Sequence, residues 1–179
     1  SGASATVEKP CPRPHLDDKE TKSTMSAPEL GKIAPNFKLP ATGDQQFELK
    51  SLRGKKVVLY FYPKDNTPGC TNESKDFAAA NAKFKRAGAT VIGVSRDSIA
   101  SHDKFRDKYD LPFHLVSDSD ETACKLYDVI KEKNMYGRKV MGIVRSTFLI
   151  DEKGKLRQEW RKVKVAGHVD EVLAATKAL

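Results

Sequence analysis

The sequence predicts an α/β protein: a mixed central sheet with helices on both faces and a small β-hairpin at its N-terminal end. Three continuous runs carry this reading: Val57-Val58-Leu59-Tyr60-Phe61-Tyr62, Thr90-Val91-Ile92-Gly93-Val94 and Ser146-Thr147-Phe148-Leu149-Ile150. Unbroken stretches of β-branched, aliphatic and aromatic residues belong to strands covered on both faces. Between them apolar residues recur at helical spacing, and strands that alternate with helices fold into layered α/β sheets.

Each element follows in order. Phe37-Lys38-Leu39 and Phe47-Glu48-Leu49 flank a Gly43-Asp44 turn and predict the hairpin. The first buried strand comes next. Phe77, Ala80, Phe84 and Ala87 then keep the period of a helix, and Gly88 stands where a helix C-terminal glycine belongs. After the second buried strand, Ile99, Phe105 and Tyr109 give a looser helical pattern. A further strand is expected before a helix with the stripe Ala123, Leu126, Tyr127 and Ile130, capped by the acidic stretch Ser117-Asp118-Ser119-Asp120-Glu121. The third buried strand meets a turn at Asp151-Glu152-Lys153-Gly154 and returns through Lys155 to Trp160 as a hairpin. Val169, Val172, Leu173 and Thr176 form the last helix. The expected order is ββ-β-α-β-α-β-α-ββ-α.

The chain of 179 residues has room for one domain, expected over residues 31–179. Residues 1–30 are expected to be a flexible tail. They hold four of the nine prolines and no Phe, Trp or Tyr, and too little apolar surface to offset their ordering entropy. Ser1-Gly2 resembles a tag-cleavage scar, and Met25 is an alternative start. The tail lacks the apolar stretch of a secretory signal, and its acids outnumber its bases, unlike a transit peptide. No run of about 18 apolar residues exists, so no membrane-spanning helix is expected. The net charge is +8, with −1 in the tail and +9 in the body. Because the lysines are scattered and no RNA-binding motif accompanies them, they read as solvated surface rather than a nucleic-acid site. Three cysteines are too few for a disulfide-stapled scaffold and point to a reducing, cytoplasmic setting.

The chemistry is concentrated after the first buried strand, in Tyr62-Pro63-Lys64-Asp65-Asn66-Thr67-Pro68-Gly69-Cys70-Thr71-Asn72-Glu73. In open α/β sheets, ligands bind at the C-terminal strand ends. Cys70 falls in the first turn of the following helix, where unpaired N–H groups and the helix dipole stabilise a thiolate, the nucleophilic form of cysteine. A small apolar residue at the start of a core helix is the plainer alternative; the polar flanks of Cys70 favour reactivity. The position three residues on is Glu73, which excludes a Cys-x-x-Cys exchanger. Thr67 can turn its hydroxyl toward the sulfur or a bound oxygen, while Pro63 and Pro68 stiffen the loop. No cofactor and no metal are expected. His102, His114 and His168 lack ligand spacing, the acidic stretch lacks a calcium-loop pattern, and no Walker or dinucleotide fingerprint is present.

Pro63-x-x-x-Thr67-x-x-Cys70 resembles the active-site motif of peroxiredoxins, and Tyr60 to Thr71 resembles the bacterioferritin comigratory, or Q, subfamily. Similar blocks follow at Gly93–Ser98, Ser101-His102, Lys131–Gly137, Arg145–Asp151 and Trp160–His168, so the resemblance covers about residues 31–179. It implies a thioredoxin-like fold and thiol-dependent reduction of hydrogen peroxide and organic hydroperoxides. Cys70 would be the peroxidatic cysteine and pass through a sulfenic acid. Thr67 would hydrogen-bond the peroxide, Arg145 would stabilise charge on sulfur and leaving oxygen, and Pro63 would shield the sulfur. Thioredoxin, glutaredoxin or glutathione would serve as reductant, and the working state would be a monomer.

The resemblance breaks down at resolution. Q-type members carry a second cysteine either five residues after the first, here Lys75, or on the next helix, here Arg106. Cys124 reads as a core thiol, and Cys11 lies in the tail. A one-cysteine cycle completed by an external thiol is therefore expected. The missing resolving cysteine also leaves two alternatives open: a thioredoxin-fold binding or chaperone module, and a thiol transferase acting on glutathione adducts.

Overall fold

The computed structural model describes residues 28–179, excluding the side chains of Lys133 and Met135. Residues 1–27 of the expected tail, Cys11 among them, lie outside the described residues. The elements are β1 (Lys38–Ala41), β2 (Gln45–Glu48), β3 (Lys56–Phe61), α1 (Pro68–Arg86), β4 (Ala89–Ser95), α2 (Ile99–Tyr109), β5 (Leu115–Ser117), α3 (Thr122–Leu126), β6 (Ile130–Met135), β7 (Arg138–Ile143), β8 (Ser146–Ile150), β9 (Leu156–Arg161) and α4 (His168–Lys177).

Seven strands form one mixed sheet in the order β2-β1-β5-β4-β3-β8-β9. β3, β4 and β5 run parallel, and β1 and β8 join this core antiparallel. Alternation along β3 divides the protein into two cores. Val57, Leu59 and Phe61 face one side, against Phe37, Leu49 and the α3 residues Ala123 and Cys124. Val58, Tyr60 and, just past the strand, Tyr62 face the other, against Phe77 and Phe84 of α1, Phe105 of α2, and Val172 and Leu173 of α4. Both sides of β3 are buried, as its unbroken apolar run requires. Gly93 in β4 lies against the Tyr60 ring and Leu115, where an added Cβ would stand 2.8 Å from both.

Two expectations change. The helix with Cys124 is only five residues long, and its apolar stripe does not continue to Ile130. Tyr127 is its C-cap, Asp128 adopts a left-handed φ of 54°, and Ile130 begins β6. The Asp118 carboxylate still caps the helix, accepting the Cys124 N–H at 2.7 Å. The second change is the β6–β7 hairpin, a separate two-stranded sheet absent from the expected order. It turns through Tyr136-Gly137, both at positive φ, as a two-residue hairpin loop requires. From Arg138 to Met141 every residue of β7 is exposed, so the hairpin shows none of the apolar alternation that reveals a half-buried strand. No helix among the described residues is long and apolar enough to cross a membrane.

Candidate active site

β3 ends in the protein interior, and the chain crosses a short loop to α1. Thr67 is the N-cap of α1 with extended backbone, and Pro68 occupies the first helical position, where its missing N–H costs no bond. Cys70 is thus the third residue of the helix, in the turn whose N–H groups have no intrahelical partner. The Thr67 carbonyl accepts the Thr71 N–H at 2.8 Å, and the Thr67 hydroxyl donates to the Lys64 carbonyl at 2.9 Å. That hydroxyl proton is therefore committed to the loop, not to the sulfur. Pro63 sits half-buried in the bend that follows β3.

Arg145 reaches this helix start through strand register. β8 pairs antiparallel with β3, Ser146 opposite Phe61, so the residue before Ser146 overshoots the end of β3 toward the loop. Arg145 Nη2 lies 3.4 Å from Cys70 Sγ, and Nη1 donates to Glu73 Oε1 at 2.8 Å. The same guanidinium thus joins Cys70 and Glu73, which share one face of α1 at i and i+3. Gly69 makes room for it: a Cβ there would stand 3.0 Å from Arg145 Nη2.

Glu73 is fully buried, and its second oxygen, Oε2, has no hydrogen-bond partner among the described residues. Burial pushes its carboxyl up to about 7, against the pull of Arg145 in the opposite direction. Burial also works against the charged Arg145, but Glu73 and Cys70 outweigh it and hold the guanidinium above its usual value. Sequence reasoning used Glu73 only to exclude a second cysteine. The available signal was a carboxylate one turn from Cys70 and four residues before the core residue Phe77.

The chain matches the model of the AhpC/TSA family over residues 30–159. It is 56% identical over 147 residues to a Xanthomonas campestris peroxiredoxin Bcp, covering 81% of this chain and 92% of that protein. This chain belongs to the AhpC/TSA family and is a peroxiredoxin, a thiol peroxidase. A Bacillus subtilis peroxiredoxin Bcp is 47% identical over 149 residues, 83% of this chain and 95% of its own. Among solved structures, a Xanthomonas campestris bacterioferritin comigratory protein, studied for alkyl peroxide reduction in trapped intermediate/ligand complexes, superposes with a TM-score of 0.79 at 54% identity. The match covers 84% of this chain and 96% of that one. A cysteine mutant of Xylella fastidiosa PrxQ gives 0.81 at 46% identity, over 86% and 98% of the two chains. The thioredoxin-like peroxiredoxin fold follows from these neighbours.

The peroxiredoxin's other described cysteine, Cys124, is fully buried in the core on the opposite face of the sheet from Cys70. Burial and the neighbouring Asp118 push its thiol far above the usual range. Two of the described histidines are engaged elsewhere: His114 with the Thr42 hydroxyl at 3.0 Å, His168 with the Thr147 hydroxyl at 2.7 Å. Asp65, Asp97 and His102, distant in sequence, come together beside the active-site loop. Their shared hydrogen bonds hold the loop.

Proposed function

We propose that this peroxiredoxin reduces hydrogen peroxide and organic hydroperoxides through a sulfenic acid on Cys70, and completes its cycle with an external thiol. The observation that carries this reading is the Arg145 guanidinium 3.4 Å from Cys70 Sγ at a helix start. The Cys70 thiolate attacks one peroxide oxygen: the S–O bond forms, the O–O bond breaks, and the leaving oxygen departs as an alkoxide or hydroxide that takes up a proton. Sulfur ends as sulfenic acid. Arg145 faces the charge that moves from sulfur to oxygen, which is where a preorganised donor has most effect on a rate. Thr67, its own proton held by Lys64, offers oxygen lone pairs to the peroxide O–H. Pro63 covers the approach to the sulfur and limits further oxidation.

A thiol of thioredoxin, glutaredoxin or glutathione then displaces water from the sulfenic acid to give a mixed disulfide, and a second thiol releases Cys70. Within the described residues the opposing placement of Cys124 supports this external route, since two cysteines join only with Cα atoms within about 7 Å. Every group invoked belongs to a single chain, so a monomer suffices, and size-exclusion chromatography with light scattering checks that. Two free thiols among the described residues suit a reducing compartment such as the cytoplasm and an antioxidant role. The test is peroxide consumption with dithiothreitol by wild type and Cys70→Ser, followed by intact mass after one equivalent of peroxide. Consumption lost in the variant, with a dimedone-trappable gain of one oxygen in the wild type, is the expected result. Loss of two hydrogens with Cys70 linked to Cys124 or Cys11 overturns the external route. No consumption by the wild type overturns the peroxidase reading.

A further inference from the structure

The loop that delivers Thr67 and Cys70 is gripped by α2. Asp65 Oδ1 accepts from the Tyr62 hydroxyl at 2.6 Å, and Oδ2 from the Ser101 hydroxyl at 2.8 Å. Oδ2 also lies 2.7 Å from His102 Nδ1, and the Asp65 N–H donates to Asp97 Oδ2 at 2.8 Å. The next residue, Asn66, stands in the left-handed region at a φ of 60°. Its Oδ1 accepts from the Tyr109 hydroxyl at 3.0 Å and from Lys108 Nζ at 3.3 Å. Four residues of one helix therefore hold two consecutive residues of the active-site loop.

Atom roles fix the proton inventory at the centre of this grip. His102 is fully buried, and its Nε2 faces the Val116 carbonyl at 2.9 Å. A carbonyl only accepts, so Nε2 carries a hydrogen. Nδ1 faces a carboxyl oxygen, so one proton lies between Nδ1 and Oδ2, whichever atom holds it. The pair is neutral as a whole, and removing one partner strands the other in the interior.

We propose that His102 is a positioning residue of the peroxidase: through Asp65 it pins the β3–α1 loop and so sets the path by which peroxide meets Cys70. It touches no reacting atom and acts only through the loop. The inference rests on the peroxidase reading. Neither Lys75 nor Arg106 can form a disulfide, so no intramolecular bond at those positions requires α1 and α2 to part. A permanent clamp between them is compatible with turnover. Displacing a reacting group by about 1 Å costs on the order of a hundredfold in rate, which gives the clamp its leverage.

The two faces of the imidazole separate positioning from mere structure. His102→Asn places an amide near Nδ1 and keeps the bond to Asp65. His102→Gln places one near Nε2 and keeps only the bond to Val116. Each variant loses one of two buried bonds, and the loss at the Asp65 carboxyl costs the more stability; a purely structural role therefore predicts that any change in rate merely follows the change in melting temperature. Positioning predicts that His102→Asn stays within about threefold of wild type in the second-order rate constant with hydrogen peroxide, and that His102→Gln falls by roughly ten- to a hundredfold. Stopped-flow measurement, with thermal melting to verify folding, reads this directly. Equal constants, or a slower Asn variant, overturn the proposal. Should neither variant fold, Ser101→Ala decides: severalfold slower peroxide attack supports the clamp, and an unchanged constant overturns it. Wild type runs alongside, and its inactivity would overturn the peroxidase reading itself rather than the clamp.

Discussion

Cys70 and Cys124 are both buried cysteines at or near a helix N-terminus, on opposite faces of one sheet. Their exposures, 1% and 0%, do not distinguish them. Their neighbours do. Cys70 has a guanidinium nitrogen 3.4 Å from its sulfur, whereas Cys124 has the Asp118 carboxylate on its own N–H, with Asp118 Oδ1 unpartnered among the described residues. A positive neighbour favours charge on sulfur, and a negative one opposes it. Burial raises the Cys124 thiol most and Asp118 adds to it; we propose that the guanidinium beside Cys70 is what makes that equally buried thiol the reacting one.

The largest effect expected from this contrast is in alkylation. With iodoacetamide at neutral pH, Cys70 should react at least about a hundredfold faster than Cys124, because only thiolate reacts. Peptide mapping of a time course measures both. A comparable rate at Cys124 breaks the comparison.

Next comes the charge itself. Arg145→Met should slow peroxide attack by roughly 10²–10³, as removal of other electrostatic donors does. Stopped-flow kinetics with hydrogen peroxide measures it, and an unchanged constant removes Arg145 from the mechanism.

Glu73 sharpens the comparison through pH. Its folded pKa, raised to about 7 from 4.5, means that the folded state binds the extra proton between those values, so this group's contribution to stability falls as pH rises through that window. His168, lowered by burial from 6.5 to about 4, acts oppositely: its contribution rises with pH between 4 and 6.5. The two largely cancel in the wild type. Glu73→Gln removes the falling term, so urea midpoints should climb from pH 4.5 to 6.5 in the variant more steeply than in the wild type, by an amount on the order of 1–3 kcal/mol. Parallel profiles would mean that Glu73 does not hold its proton as described.

The smallest expected effect concerns the space beside Arg145. Gly69→Ala should gain up to about 1 kcal/mol of helix stability and yet slow peroxide attack. The new methyl pushes on Nη2, and a displaced guanidinium costs on the order of three- to tenfold. A melting curve and a rate constant together test this; a faster or unchanged enzyme shows that the guanidinium has room to spare.

How much of this was legible in the sequence depends on how local each cause is. β3, β4 and β8 are continuous apolar runs, and the helix start at Cys70 follows from the segment that leaves the end of β3. Arg145 entered by resemblance, and its position one residue before a buried strand was readable, but not its reach across to α1. Glu73 was passed over because an acidic residue on a helix ordinarily faces water. The β6–β7 hairpin escaped because its second strand is exposed from Arg138 to Met141 and gives no apolar alternation. α3 ended early because Asp128 turns left-handed, a backbone choice that the apolar stripe does not encode.

Legible along the chain were the strand–loop–helix unit that carries Cys70, the near-complete set of elements around it, and the lack of a cysteine at positions 75 and 106. Periodicity, capping and proline geometry act over a few residues, so they can be read along the chain. Long-range packing alone brings Arg145 to a sulfur 75 residues away, lets Glu73 share the guanidinium, joins Asp65 to His102, and sets Cys124 across the sheet. Those outcomes depend on strand register and on which face each residue is given. One step of register between β3 and β8 would carry Arg145 away from Cys70, and nothing local to either segment records that alignment.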